Sequence, residues 1–68
     1  MKTKEELKQI TERITGIECV IDNYSNQSAE IWLQMWLLPF SMLKDLEKEL
    51  DILDIWIDGS YLALHVKP

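Results

Sequence analysis

Residues 53–67, which read LDIWIDGSYLALHVK, predict an antiparallel β-hairpin. Apolar side chains occupy every second position on both sides of the central Asp58-Gly59-Ser60, as expected of strands that bury one face. Gly59 supplies the positive φ angle that a tight two-residue turn requires. The last two strands of the chain are therefore one that begins near Leu53 and one that covers Tyr61–Lys67.

One helix is predicted near the N-terminus and a second helix directly before this hairpin. In the first helix Thr3 and Glu6 have the spacing of a capping box, and Gly16 is the residue type that ends many helices in the left-handed conformation. In the second helix Ser41 is the expected N-terminal cap. The apolar stripe of that helix consists of Leu43, Leu46 and Leu50.

Two more strands are predicted between the helices. Ile17, Cys19 and Ile21 alternate with Glu18, Val20 and Asp22, which is the pattern of a half-buried strand, and a polar, turn-rich segment follows them. The next strand is predicted from about Ala29 to Leu37. Pro39 ends it, because proline has no N–H to donate to a neighbouring strand.

The resulting order of elements is α-β-β-α-β-β, which predicts a single domain over residues 1–68. The domain consists of two α-β-β repeats, at about residues 3–37 and 41–67. Two helices with one apolar stripe each can cover one face of a four-stranded antiparallel sheet. We therefore expect an α+β two-layer sandwich with strand order 3-4-2-1 and both helices on one face. This topology resembles a circularly permuted ferredoxin-like fold, a scaffold that hosts many unrelated functions.

Alternation along the strands assigns every strand residue to one of two faces. The side chains expected to face the helices are Ile17, Cys19, Ile21, Ile31, Leu33, Met35, Leu53, Ile55, Ile57, Leu62, Leu64 and Val66. The opposite face then carries all three tryptophans of the chain, with five carboxylates against one lysine. Monomeric proteins rarely expose large contiguous apolar patches, so this face is the predicted functional surface.

We expect that face to bind protein, because tryptophan and tyrosine are frequent interface anchors. The predicted binding residues are Trp32, Trp36, Trp56, Tyr61, His65 and Gln34, and the predicted acidic rim is Glu18, Asp22, Glu30, Asp54 and Asp58. The preferred partner is a second copy, in a homodimer that packs sheet on sheet. One alternative is a small acidic inhibitor, of the kind that phages encode, bound to a basic, nucleic-acid-binding site of a host or defence protein. Another is a small-ligand sensor with a groove between the tryptophans.

Composition argues against several other functions. Twelve acidic and seven basic residues give a net charge of −5, which is the wrong sign for a nucleic-acid-binding protein. The single cysteine, the absence of a long apolar run and an N-terminus without signal-peptide character favour a cytoplasmic protein.

Enzymatic function, metal binding and a cofactor are not expected. His65, the only histidine, is predicted to lie across from Asp54, but no nucleophile accompanies it. Cys19 is expected to be buried. Asp22, Asp54 and Asp58 lack the spacing of a calcium loop, and no glycine-rich phosphate loop is present.

Overall fold

The computed structural model describes all 68 residues and has the predicted order of elements. The elements are α1 (Lys4–Thr15), β1 (Cys19–Asp22), β2 (Ala29–Leu33), α2 (Phe40–Glu49), β3 (Asp51–Asp58) and β4 (Tyr61–Lys67). All neighbouring strands are antiparallel, and the sheet order is β1-β2-β4-β3. This is the predicted order, with β2 and β4 in the centre.

The hydrophobic core lies between one face of the sheet and both helices, which confirms the predicted α+β two-layer sandwich. Leu7 of α1 and Leu46 of α2 are fully buried there against Ile31 of β2 and Leu64 of β4. The predicted burial of Cys19 is confirmed as well. Because both helices lie on the same side, the opposite face of the sheet is covered by neither of them.

The two helices begin differently. Thr3 and Glu6 form the predicted capping box, and Gly16 ends α1 with φ 70°. The prediction that Ser41 caps α2 is wrong. That helix begins at Phe40, so its N-terminal cap is Pro39, two residues before Ser41, and no side chain caps it. The first turn of α2 is closed by the backbone alone: the Leu43 N–H donates to the Pro39 carbonyl at 3.0 Å, as the Leu7 N–H does to the Thr3 carbonyl in α1.

The second strand is shorter than predicted, ending at Leu33 rather than at Leu37. Leu33 pairs with Cys19 on one side and Leu62 on the other, and Cys19 is the first residue of β1. The Met35 N–H then donates to the Leu33 carbonyl at 2.9 Å, a short-range bond typical of a γ-turn. The chain therefore leaves the sheet, and residues 34–39 form a loop.

A β-bulge changes the predicted faces in β3. Ile52 pairs with Val66, whereas the next pair is Asp54 with His65, so Leu53 is an extra residue without a partner. Ile52 packs against the core in place of Leu53, whose side chain is 52% exposed. The predicted helix-facing orientation of Leu53 is therefore wrong, while the assignment of Ile55 to the core holds.

Side chains form hydrogen bonds with backbone groups on both edges of the sheet. On β1, the Cys19 N–H donates to Glu12 Oε2 at 2.9 Å and the Cys19 carbonyl accepts from Lys8 Nζ at 2.7 Å. On β3, the Ile55 N–H donates to Asp54 Oδ1 at 2.9 Å, directly after the bulge. Side-chain cover and bulges are the usual protection of edge strands. A strand added at either edge would have to displace these bonds.

The bonds of Glu12 predict an acid-sensitive step in stability. Hydrogen bonds from Lys8 and from the Cys19 N–H lower the pKa of Glu12 below its ordinary value of 4.5. A carboxyl group with a lowered pKa in the folded state stabilises the protein above its unfolded-state pKa, and this contribution is lost as pH falls through the lowered value. Glu12→Gln should therefore lower the urea midpoint at neutral pH and reduce its decline below pH 4.5.

Urea unfolding followed by circular dichroism across this pH range checks the prediction. Glu47→Gln is the matched control, since Glu47 is exposed on α2 and should leave the midpoint at neutral pH unchanged. Equal midpoints for Glu12→Gln and the unmodified chain at neutral pH would contradict the assigned role of Glu12.

Candidate interaction surface

A continuous row of side chains crosses the uncovered sheet face from edge to edge. Val20 pairs with Trp32, Trp32 with Ala63, and Ala63 with Trp56. Each of the four strands thus contributes one residue to this central row. The sheet places Trp32 and Trp56 on the two strands that flank β4, with only the Ala63 methyl group between them.

The two indoles meet above Ala63. The ring centroids of Trp32 and Trp56 are 5.9 Å apart and the ring planes are perpendicular, a favourable edge-to-face geometry. Ala63 is fully buried, although it lies outside the core cluster beneath the helices. The indoles therefore supply the cover that the helices provide on the other face, and the small side chain at position 63 allows them to touch.

Two further rings extend this aromatic cluster. The Tyr61 ring lies 6.5 Å from Trp32, and the His65 ring lies 6.4 Å from Trp56, both measured between centroids and both in edge-type geometry. Trp32 Nε1 donates to Glu30 Oε1 at 3.1 Å. The predicted grouping of Trp32, Trp56, Tyr61 and His65 on one face is confirmed.

Carboxylates border the aromatic cluster on two sides. One neighbouring row consists of Asp22, Glu30, His65 and Asp54, in that order across the sheet. His65 therefore lies opposite both Glu30 and Asp54, and the predicted pairing with Asp54 is confirmed.

At the other end of the face Asp58 pairs with Tyr61, and Glu18 directly precedes β1. Beyond the row of Asp54 and His65, the bulge brings a further carboxylate onto this face, that of Asp51, which pairs with Lys67. Simple alternation along the strand did not place Asp51 there. The lysine at position 67 remains the only Lys or Arg on the strands of this face.

Trp36 does not join the cluster. It lies in the loop after β2 with 82% of its surface exposed, so its predicted place beside Trp32 on a strand is wrong. Gln34 is also in this loop, and it lines a shallow groove of about 370 Å³ together with Trp32, Tyr61 and residues of α1 and β1. The groove between three tryptophans, which the sensor hypothesis requires, is not formed.

The titratable groups outside this face form no metal centre. No group of three or more His, Cys, Asp or Glu side chains is arranged to hold a metal ion. Burial raises the pKa of the Cys19 thiol to about 11, which keeps it protonated at neutral pH. Neither helix is long and apolar enough to cross a membrane.

Comparisons with known proteins give no assignment of function. No protein-family model, no curated protein and no solved structure matches the chain.

The contact between the indoles should be measurable as a coupling energy. In a double-mutant cycle with Trp32→Val and Trp56→Val, the two losses in unfolding free energy should differ from additivity by about 0.5–1.5 kcal/mol, the range for aromatic pairs. Urea unfolding of the four proteins provides the measurement.

A second cycle that combines Trp32→Val with Trp36→Val serves as the control. Those two rings make no contact, so the changes should add to within about 0.5 kcal/mol. Additivity in the Trp32–Trp56 cycle would show that the two indoles do not stabilise each other.

Proposed function

We propose that this protein is a non-enzymatic interaction module whose aromatic, acidic sheet face binds a basic surface on another protein. The observation that carries this proposal is the contact of Trp32 and Trp56 above Ala63, on a face that no helix covers, with carboxylates on either side. A cytoplasmic location is part of the proposal, since a single unpaired cysteine suits a reducing compartment.

The aromatic centre supplies contact area, but this is insufficient by itself for tight binding. Trp32 and Trp56 are half-buried in the free chain. Covering the ring surface that remains exposed contributes no more than about 5 kcal/mol, which is close to the lower estimates of the cost of association, about 4–15 kcal/mol. Affinity and partner choice therefore depend on the groups that surround the rings, and on this face those groups are mainly carboxylates.

The carboxylates favour a cationic partner. An arginine can stack on an indole face and donate two parallel hydrogen bonds to a carboxylate at the same time. Trp32 with Glu30, and Trp56 with the neighbouring Asp54, offer this combination twice on adjacent rows. The acidic border also accelerates encounter with a basic surface. Where that surface is a nucleic-acid-binding site, occupying it makes the module an inhibitor.

A homodimer that packs sheet on sheet is less favourable on this charge pattern. Each copy would bring its own carboxylate rows, with Lys67 as the only opposing Lys or Arg on the strands of the face. Like charges that become desolvated at an interface without partners destabilise it. This mode of association is therefore an alternative outcome of the tests, rather than the function proposed here.

Binding of a labelled octa-arginine peptide, followed by fluorescence anisotropy, tests the proposal. The double variant Glu30→Gln with Asp54→Asn keeps both acceptor oxygens for the bonds to Trp32 and to the Ile55 N–H. It should weaken peptide binding about fivefold or more, as expected from the loss of two exposed charge contacts. Trp32→Val with Trp56→Val should weaken binding by a similar factor.

The matched control is Asp45→Asn with Glu47→Gln on the solvated side of α2, which removes the same two charges from the net −5. It should change the affinity less than about twofold, since exposed charges beyond a Debye length are screened. An octa-glutamine peptide should not bind. If the Glu30–Asp54 variant and the Asp45–Glu47 variant weaken binding equally, the effect comes from net charge alone. That result would contradict binding by a specific face.

A further inference from the structure

A shallow groove of about 370 Å³ lies on the sheet face beside Trp32, on the side away from Glu30. The Trp32 and Tyr61 rings line it, together with Glu18, Val20 and Gln34. We propose that this groove receives an arginine side chain of the basic partner, so that the face selects arginine over lysine. This inference rests on the proposed function and names the partner residue that one part of the face binds.

Two aromatic rings form walls of the groove. The centroids of Trp32 and Tyr61 are 6.5 Å apart and the ring planes are inclined by 69°, so the rings meet as a corner instead of a flat stack. The sheet fixes their positions, since Trp32 pairs with Val20 and Ala63, and Tyr61 pairs with Asp58. A cation is attracted to the face of such a ring, and a planar guanidinium can also stack on it. The corner therefore exists before a partner binds.

The unpaired charge of the groove is that of Glu18, which is exposed and takes part in none of the ion pairs of the chain. Lys8 also lines the groove, but its Nζ donates to Glu12 Oε2 at 2.8 Å and to the Cys19 carbonyl at 2.7 Å. The hydrogen bond to Glu12 is the main reason why the pKa of Lys8 is raised, and the charge of Glu18 is a smaller cause. Glu12 thus neutralises Lys8, and the Glu18 carboxylate is left for an incoming cation.

The mixture of apolar walls and polar rim favours a guanidinium over an ammonium. Glu18 and Gln34 offer acceptor oxygens at the rim, and the two rings and Val20 supply apolar surface. A guanidinium carries five N–H donors in one plane and is weakly hydrated, so it can contact a ring and donate to acceptors at the same time. An ammonium is a compact, strongly hydrated charge, and it loses part of its hydration when it contacts the rings. The groove therefore distinguishes two residues of equal charge.

The size of the groove suits one side chain within a larger interface. Its volume of about 370 Å³ is near the lower end of the range for ligand-binding clefts. A cation against an exposed ring gains about a factor of two to five in affinity, and an exposed charge contact adds a similar or smaller factor. These factors are too small to hold a free amino acid tightly. They are large enough to change which of two basic partners binds better.

An NMR titration of the isotope-labelled full chain with single-residue probes tests the groove by itself. The probes are N-acetyl-arginine methylamide, the lysine analogue and the neutral citrulline analogue, each added at constant ionic strength. The arginine probe should shift the signals of the Trp32 indole N–H and the Gln34 side-chain amide most. The lysine probe should bind about threefold more weakly or less well still. The citrulline probe should not bind, because it has the shape of arginine without the charge.

Variants of the groove assign these effects to its residues. Glu18→Gln should weaken binding of the arginine probe about threefold, as for the loss of an exposed charge contact. Tyr61→Leu should reduce the preference for arginine to less than about twofold, whereas Tyr61→Phe keeps the ring and should retain the preference. The matched control is Glu47→Gln, which removes the same single charge on the exposed side of α2 and should change neither affinity.

Equal affinities for the arginine and lysine probes would overturn the inference, as would arginine-induced shifts that centre on Trp56 and His65. Either result leaves the proposed function in place if octa-arginine binding still depends on Glu30 and Asp54. Arginine binding in the groove, combined with octa-arginine binding that does not respond to Glu30→Gln with Asp54→Asn, would support the groove and contradict the proposed role of those carboxylates. If the single arginine probe binds as tightly as octa-arginine, the groove is a small-molecule site and the inference of a partner side chain is wrong.

Discussion

Two short helices can cover only one face of a four-stranded sheet, and the rest of the structure depends on how the other face is protected. β4 lies in the centre, with Leu64 directed to the helices and Ala63 to the open side. An alanine cannot shield the neighbouring backbone by itself. Trp32 and Trp56, from the strands on either side, close over it in edge-to-face contact. The rings that stabilise this part of the sheet are therefore also the rings of the proposed binding face, so substitutions there are expected to change stability together with any binding.

The edges of the sheet explain why association is expected through surfaces other than strand addition. Glu12 and Lys8 occupy the outward backbone groups of Cys19, and Asp54 accepts from the N–H of Ile55 beside the bulge at Leu53. Such devices are common where a sheet has free edges, because an unprotected edge pairs with other chains. Asp54 has two roles here, since it protects the edge and adds negative charge beside Trp56. The acidity of the sheet face thus arises partly from edge protection.

The sequence predicts the fold and most of the candidate site, because two-residue periodicity determines which side chains share a face. It correctly places Trp32, Trp56 and His65 together. It fails where periodicity is uninformative. Residues 31–38 are almost all apolar, so their pattern does not reveal that β2 ends at Leu33, where the strand pairing ends. Ile52 and Leu53 are also both apolar, and either can face the core. Only the pairing with Val66 and His65 shows which of them does.

The error at Trp36 has a functional consequence. A strand that continued to Leu37 would place all three tryptophans on one face and predict one binding surface. Because the chain turns away after Leu33, the tryptophans divide between the acidic sheet face, which carries Trp32 and Trp56, and the loop before α2, which carries the exposed Trp36. The separation of Trp36 from Trp32 leaves two indoles rather than three on the sheet face. The proposed binding therefore relies more on the carboxylates that lie beside Trp32 and Trp56.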